Sequence, residues 1–251
     1  VWLENYGWRG ALIVTGAIHL HGLVTATALD PSIGRKQDVT YTGIGINEED
    51  KTFLEKIGER LQFHVLRDIK LIGLFIVAFC VCFTGVVFYL SLIPYAISIS
   101  IEPINASFLK SLVGMGCIIA RFVQCIVPQT VGTSVKLLVF TQIIDVIVLT
   151  IFIFSNQYTA LAITSFTHGA AYGMQASLLL FLTIKSVDTE YAGIATAWGI
   201  SFAGLGYFSA GLLGFFNGDM DLLLSFQTST ALQAFALIPS FVVFYALRFE
   251  E

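Results

Sequence analysis

One cationic side chain, that of Arg121, stands well inside an apolar stretch that runs from Ser107 to Gln129. Roughly 20 residues at ~1.5 Å each are enough to cross a bilayer. An ionised guanidinium inside hydrocarbon costs about 2.5 to 3.5 kcal/mol on insertion scales unless it finds a partner or a wet cavity. We therefore expect Arg121 to face the interior of a helix bundle, where its planar fork can bind a carboxylate bidentately. The alternative is that the side chain snorkels toward the polar end of the stretch.

Two further ionisable residues, Asp145 and His168, are predicted near the middle of other apolar runs. At ~1.5 Å per residue, Asp145 lies roughly 14 Å from the inner end of its run and His168 about 15 Å from the outer end of its own. Asp145 could pair with Arg121 across adjacent antiparallel helices, or it could be protonated or face water. His168 could contact the substrate or carry a proton, because histidine changes charge near neutrality. A neutral histidine bonded to a carbonyl is the alternative.

The remaining candidates for chemistry give weaker signals. All four cysteines (Cys80, Cys82, Cys117 and Cys125) lie in apolar runs, where cysteine usually acts as a small packing residue. His19 and His21 are two residues apart, so they point in different directions on a helix and do not share a metal. The sequence holds no Ser/His/Asp arrangement, phosphate loop or clustered metal ligands. We therefore expect no enzyme, cofactor or metal site, and no nucleic-acid partner.

The composition indicates a membrane protein. Of 251 residues, 56% are hydrophobic and only 12% are charged, whereas soluble domains average about 25% charged residues. The mean hydropathy is +0.83. Seven apolar runs are predicted to span the bilayer, and the last six have short connections, so neighbouring helices should be antiparallel. The runs are Ala11–Leu29, Leu71–Ile97, Ser107–Gln129, Val135–Phe154, Tyr158–Ile184, Tyr191–Phe216 and Leu222–Leu247.

One long polar segment, residues 30–70, separates the first run from the others. Asn47 can cap a helix there, and apolar residues recur every three or four positions after it: Phe53, Leu54, Ile57, Leu61 and Val65. This pattern predicts an amphipathic helix that lies on the membrane surface or packs on the ends of the spans.

Basic residues predict the orientation of the chain. If the long segment is cytoplasmic, most lysines and arginines fall on the cytoplasmic side, and only Arg9 and Lys110 fall outside. The C-terminus is then cytoplasmic, and Asn105, in an Asn-Ala-Ser sequon, is external and open to glycosylation. The cytoplasmic set is Arg35, Lys36, Lys51, Lys56, Arg60, Arg67, Lys70, Lys136, Lys185 and Arg248.

Five stretches resemble one transporter family in their order and spacing. The family is the monocarboxylate transporters (solute carrier family 16), a branch of the major facilitator superfamily that moves lactate, pyruvate, aromatic amino acids and related solutes. The stretches resemble the start of its sixth helix, the end of its seventh, its eighth, its Gly-rich tenth and its eleventh. They are YGWRGAL (6–12), IPYAISISI (93–101), IIAR (118–121), SFTHGAAYGM (165–174) and AGIATAWGISFAGLGYFSAGLLG (192–214).

The resemblance implies an all-α, polytopic bundle, a partial major facilitator fold. Residues 1–29 would be the sixth helix and its outer approach, 30–70 the cytoplasmic central loop, and 71–251 the C-terminal six-helix bundle. We expect a chain cut from a twelve-helix transporter whose halves contain inverted repeats. It would move a small organic anion across the plasma membrane by alternating access. Its partners would be the bilayer, the solute and the missing N-terminal half, and the resemblance leaves open a single-span accessory protein.

Three departures from the family bear on coupling. Proton-coupled members carry an acidic residue four positions before the arginine, and Cys117 occupies that position here. The usual Gly-Pro-Pro of the eleventh helix is Gly206-Tyr207-Phe208. The charged signature between the eighth and ninth helices is reduced to residues 128–136, in which only Lys136 is charged. Whether transport is proton symport is therefore left open.

Glycines recur through the eleventh-helix stretch, among them Gly199, Gly204, Gly206 and Gly211. They predict a helix that packs closely against its neighbours, and one with few bulky side chains could also slide during alternating access. The rival function is a non-transporting or truncated membrane interaction protein of the same fold.

Overall fold

The computed structural model of the protein describes residues 63–127, 130–217 and 222–248. A short 3-10 helix, Phe63–Arg67, comes first, and no strand occurs in these ranges. The predicted first span and most of the predicted amphipathic helix lie outside the described residues. Six long helices follow: α1 (Ile69–Ser98), α2 (Pro103–Ile126), α3 (Val131–Phe154), α4 (Tyr158–Lys185), α5 (Ala192–Asn217) and α6 (Leu222–Arg248). The predicted all-helical bundle is confirmed.

Local capping groups place the helix starts close to the predicted boundaries. The Asp68 side chain accepts a hydrogen bond from the Lys70 amide at 2.9 Å, which starts α1. Thr130 accepts from the Thr133 amide at 3.2 Å and starts α3 at Val131, four residues before the predicted Val135. Pro103 is the first residue of α2, four residues earlier than predicted. Proline is favourable at this position because it lacks only an amide hydrogen, which the first turn of a helix leaves unpaired in any case.

Four of these helices, α1, α2, α3 and α6, are long and apolar enough to cross a membrane by length and composition. The other two, α4 and α5, are of similar length, 28 and 26 residues, and form over the predicted ranges. Glycine, hydroxyl and amide residues make them less apolar, as does His168 in α4. We interpret all six as spans because they pack together as one bundle.

Helix α1 is the centre of the bundle and packs against α2, α4, α5 and α6. Its most apolar 18-residue window is 78% buried, against 28% for α2 and for α6. Its fully buried side chains include Phe75 and Phe88, which lie in different core clusters. Because one face of α2 is mostly exposed and carries large apolar side chains, we assign that face to lipid.

Helices α2 and α4 approach each other closely at glycine positions. A Cβ on Gly116 would overlap the Phe166 carbonyl oxygen, and one on Gly169 would overlap the carbonyl oxygen of Val113. Small residues at such crossings let helices approach closely in membranes. A side chain at position 116 or 169 would therefore force α2 and α4 further apart.

The predicted packing role of the α5 glycines is correct for only part of the set. Gly206 packs against the Phe79 carbonyl of α1, and a Cβ on Gly199 would lie 3.4 Å from Phe75. No atom of the described residues lies within 4 Å of a Cβ added to Gly204 or Gly211, so the six helices do not use these two glycines for close packing. Gly199 and Gly206 are two turns apart and share the face toward α1, whereas Gly204 and Gly211 share a different face.

Candidate functional site

A buried ionisable pair joins α3 to α4. His168 Nδ1 lies 2.7 Å from Asp145 Oδ1, and the two side chains are 1% and 2% exposed. The predicted pair between Asp145 and Arg121 does not form, so that prediction is wrong. The reason is the order of helices around the bundle: α3 packs on α4 and α6, while the helix of Arg121 packs on α4 and α1.

Aromatic side chains enclose this pair. The Phe88 ring lies 4.1 Å from the His168 ring between centroids, and the Tyr172 ring lies 6.5 Å away, one turn along α4. His168 has no solvent-exposed surface. The direct contact with a solute that we predicted for His168 is therefore blocked in the described conformation, because the side chain faces α3 and the core.

Buried glutamine side chains extend the polar interior of the bundle beyond the His168–Asp145 pair. Gln233 Nε2 of α6 donates to Gln175 Oε1 of α4 at 3.0 Å, and both side chains are fully buried. Gln142 lies one turn before Asp145 on α3 and is also fully buried. Neither its side-chain oxygen nor its nitrogen has a hydrogen-bond partner among the described residues, and neither does His168 Nε2. A polar column thus crosses the interface of α3, α4 and α6.

This column was missed at the sequence level, although a signal was present. Polar side chains inside apolar runs are costly in a bilayer and usually face a bundle interior. Gln142, Gln175 and Gln233 each lie inside a predicted span. The predictions for the membrane interior considered ionisable residues and did not include these three amides.

Three tyrosines, one each from α1, α4 and α5, form a continuous wall beside the His168–Asp145 pair. The hydroxyl oxygens of Tyr172 and Tyr207 are 3.1 Å apart, and the rings of Tyr89 and Tyr172 lie 6.4 Å apart between centroids. Cys82 of α1 lines the same cavity as Tyr207. We call this wall, together with the α2 side chains that face it (Lys110, Cys117 and Arg121), the tyrosine face.

Arg121 belongs to this surface and is not buried among the six described helices, so its predicted place in a bundle interior stays a prediction. It is exposed, and its charge interacts electrostatically with the hydroxyls of Tyr89 and Tyr207. Lys110 Nζ lies 5.9 Å from the centre of the Tyr89 ring. Gly114, between the two cations on the same helical face, has nothing within 4 Å of an added Cβ. The α2 side of the tyrosine face is therefore open and cationic.

The remaining predicted site residue, Asn105, is exposed in the first turn of α2. The four cysteines are free: Cys80 and Cys82 are buried, Cys117 is partly exposed and Cys125 is exposed. Cys117 lies close enough to Tyr89 and Tyr172 to interact with both electrostatically. The position that the family resemblance marks for an acidic residue is thus on the tyrosine face.

These features define a class: a multi-pass membrane protein whose long helices combine a buried polar column with an open, cationic aromatic surface. Residues 1–211 match the family model of the Major Facilitator Superfamily, and the chain belongs to that superfamily. Its members transport small solutes across membranes. A comparison with curated proteins gave no match.

Proposed function

We propose that the tyrosine face is one wall of the transport path and that Arg121 binds the carboxylate of a small, monocarboxylate-like anion carried by alternating access. The observation that supports this most directly is the exposure of Arg121 within electrostatic range of Tyr89 and Tyr207. A guanidinium offers a carboxylate two parallel hydrogen bonds, and nearby hydroxyls can donate more. The resemblance of IIAR (118–121) to the eighth helix of monocarboxylate transporters supports the same role.

Among the residues that the structure describes, no carboxylate pairs with Arg121, which leaves it available. Its four-residue neighbour on the same face is Cys117, and Asp145 is engaged by His168. An intramembrane cation that pairs with a resident carboxylate must exchange that partner for the substrate. Here an anion would meet the guanidinium without such competition from Asp145, which favours binding of an anion over binding of a neutral or cationic solute.

For the coupling ion we propose the proton, with the His168–Asp145 pair as the group that binds it. A buried histidine held by a carboxylate can exist with or without an additional proton, and its charge state alters the packing around it. Its nearest rings are those of Phe88 and Tyr172, and Asp145 is its charged neighbour. Because the pair is enclosed, it would act through the conformation of α4 and not by touching the solute.

We further propose a plasma-membrane location with a cytoplasmic C-terminus. Lys70 at the start of α1, Lys136 in the first turns of α3 and Lys185 at the end of α4 lie at one end of these antiparallel spans. Lys110 in α2 lies toward the other end. The first end is therefore assigned to the cytoplasm by the positive-inside rule.

The test is anion uptake by the natural full-length protein carrying Arg121→Lys or Arg121→Gln. The lysine keeps the charge and loses the fork, whereas the glutamine loses both, so we expect weaker apparent affinity in the first and a larger loss in the second. A charge-assisted hydrogen bond of about 1.5 to 3 kcal/mol corresponds to roughly tenfold to more than hundredfold in binding. Lys185→Gln, at the end of α4, is the matched control. Wild-type uptake by Arg121→Gln at normal surface expression would refute the role.

The same assay addresses the rival function. If the full-length protein reaches the cell surface and carries no monocarboxylate, a non-transporting membrane interaction protein of this fold becomes the better interpretation.

A further inference from the structure

We propose that an elongated cavity between α1, α4 and α5 holds the apolar part of the carried anion while Arg121 holds its carboxylate. This inference rests on the proposed function and names the substrate class more closely. The cavity has a volume of about 240 Å³. Small and apolar side chains line most of it, including Ala78, Val81, Ala176 and Ala203.

One end of the cavity lies at the tyrosine face, because Tyr207 belongs to both. Cys82, Ala176 and Tyr207 lie at this end, because α1 and α5 run in the same direction and α4 runs opposite to them. Tyr207 lines the cavity and lies within electrostatic range of Arg121. A carboxylate bound to Arg121 would therefore lie near the Tyr207 end of the cavity.

Less apolar groups line the other end. Thr183 and Thr196 lie there, about 10 Å from Ala176 at 1.5 Å per residue along α4. A ligand that fills the cavity thus meets a cation and phenol hydroxyls first, then an apolar passage, then two alcohol groups. This order suits an amphipathic anion, whereas a lipid chain needs neither the cation nor the hydroxyls.

The volume limits the size of the apolar part. Pockets that bury a drug-sized ligand occupy about 300–1,000 Å³, so 240 Å³ accommodates only part of such a molecule. An aryl group on a short linker fits the length and the volume, while a two- or three-carbon acid would leave the cavity largely unused. We therefore infer a preference for aryl-substituted monocarboxylates over short ones.

The experiment compares uptake of lactate and 3-phenyllactate, which share the carboxylate and hydroxyl and differ by a phenyl ring. In the full-length protein we expect a KM for 3-phenyllactate at least tenfold below that for lactate. Ala203→Leu fills the cavity and should raise the KM for 3-phenyllactate at least tenfold while leaving that for lactate within twofold. The matched control is Ala197→Leu, which adds the same side chain at an exposed position of α5 outside the cavity.

Two variants keep the outcomes separable. If Ala203→Leu does not reach the surface, Ala203→Val makes a smaller addition and should show the same selectivity in weaker form. Arg121→Gln should lose both anions. Equal effects of Ala203→Leu on both anions, or no effect on either, overturn the cavity assignment and leave the Arg121 role intact, as expected if lipid or another helix fills the space. Undiminished uptake of both anions by Arg121→Gln overturns the proposed function.

Discussion

Replacing His168 by leucine should destabilise the protein through the carboxylate that it leaves behind. The His168–Asp145 hydrogen bond is 2.7 Å long, and its two side chains are 1% and 2% exposed. Removing one member of a buried ionic pair costs about 3 to 5 kcal/mol, because the other charge stays buried without a partner. At roughly 2–4 °C per kcal/mol for a chain of this size, the apparent Tm should fall by roughly 6–20 °C.

A second substitution separates this cause from simple loss of packing against Phe88. In the double variant His168→Leu with Asp145→Asn, no charge is buried, and an unpaired amide costs about 1 to 3 kcal/mol. The double variant should therefore be about 2 kcal/mol more stable than the single one, or roughly 4–8 °C in apparent Tm. A pair that contributes through packing alone gives no such recovery.

The assay is a temperature ramp of the purified full-length protein in detergent with a thiol-reactive dye. Cys80 is buried in α1, so its reaction reports separation of the helices, while Cys117 and Cys125, which are partly or fully exposed, set the baseline. Phe235→Leu, half-exposed on α6, is the control for loss of a ring without loss of a partner. A His168→Leu variant as stable as this control, or a double variant no more stable than the single, would refute the reasoning.

Three further predictions concern other features of the bundle. Gly169→Ala should reduce surface expression sharply, because its Cβ meets the α2 backbone and overpacking costs about 1–3 kcal/mol or more, whereas Gly204→Ala should be neutral or stabilise by about 0.5–1 kcal/mol. His168→Gln keeps most of the volume and removes titration, so the pH dependence of uptake should flatten. In a cysteine-free background, Asn105→Cys should react with an impermeant thiol reagent from outside sealed cells, and Lys185→Cys should react only after permeabilisation.

A specific outcome would contradict each of these three predictions. Equal expression of the two glycine variants would mean that the α2–α4 approach is not tight. An unchanged pH profile in His168→Gln would place the proton elsewhere or remove it from the mechanism. Labelling of Lys185→Cys in sealed cells would invert the topology.

The sequence alone determined the helical elements of the described region. Apolar runs of bilayer length, interrupted by proline, glycine and capping residues, predicted α1 over 71–97 against the observed Ile69–Ser98, and α5 over 191–216 against Ala192–Asn217. Such agreement is expected, because in a membrane each span must satisfy its own backbone hydrogen bonds, so helix formation depends on local sequence. The composition, with 56% hydrophobic and 12% charged residues, was enough to identify a membrane protein.

Only the tertiary structure decided which side chains meet. Asp145, Arg121 and His168 were predicted at similar depths, but depth along a helix does not reveal which helices are neighbours. Because α4 lies between α2 and α3, Asp145 of α3 contacts His168 of α4, and Arg121 of α2 remains on the tyrosine face. Likewise, Gly204 and Gly206 differ by two positions, and only the angle of α5 toward α1 decides that one packs and the other is open. These choices depend on the order and rotation of helices, which arise from the packing of the whole bundle.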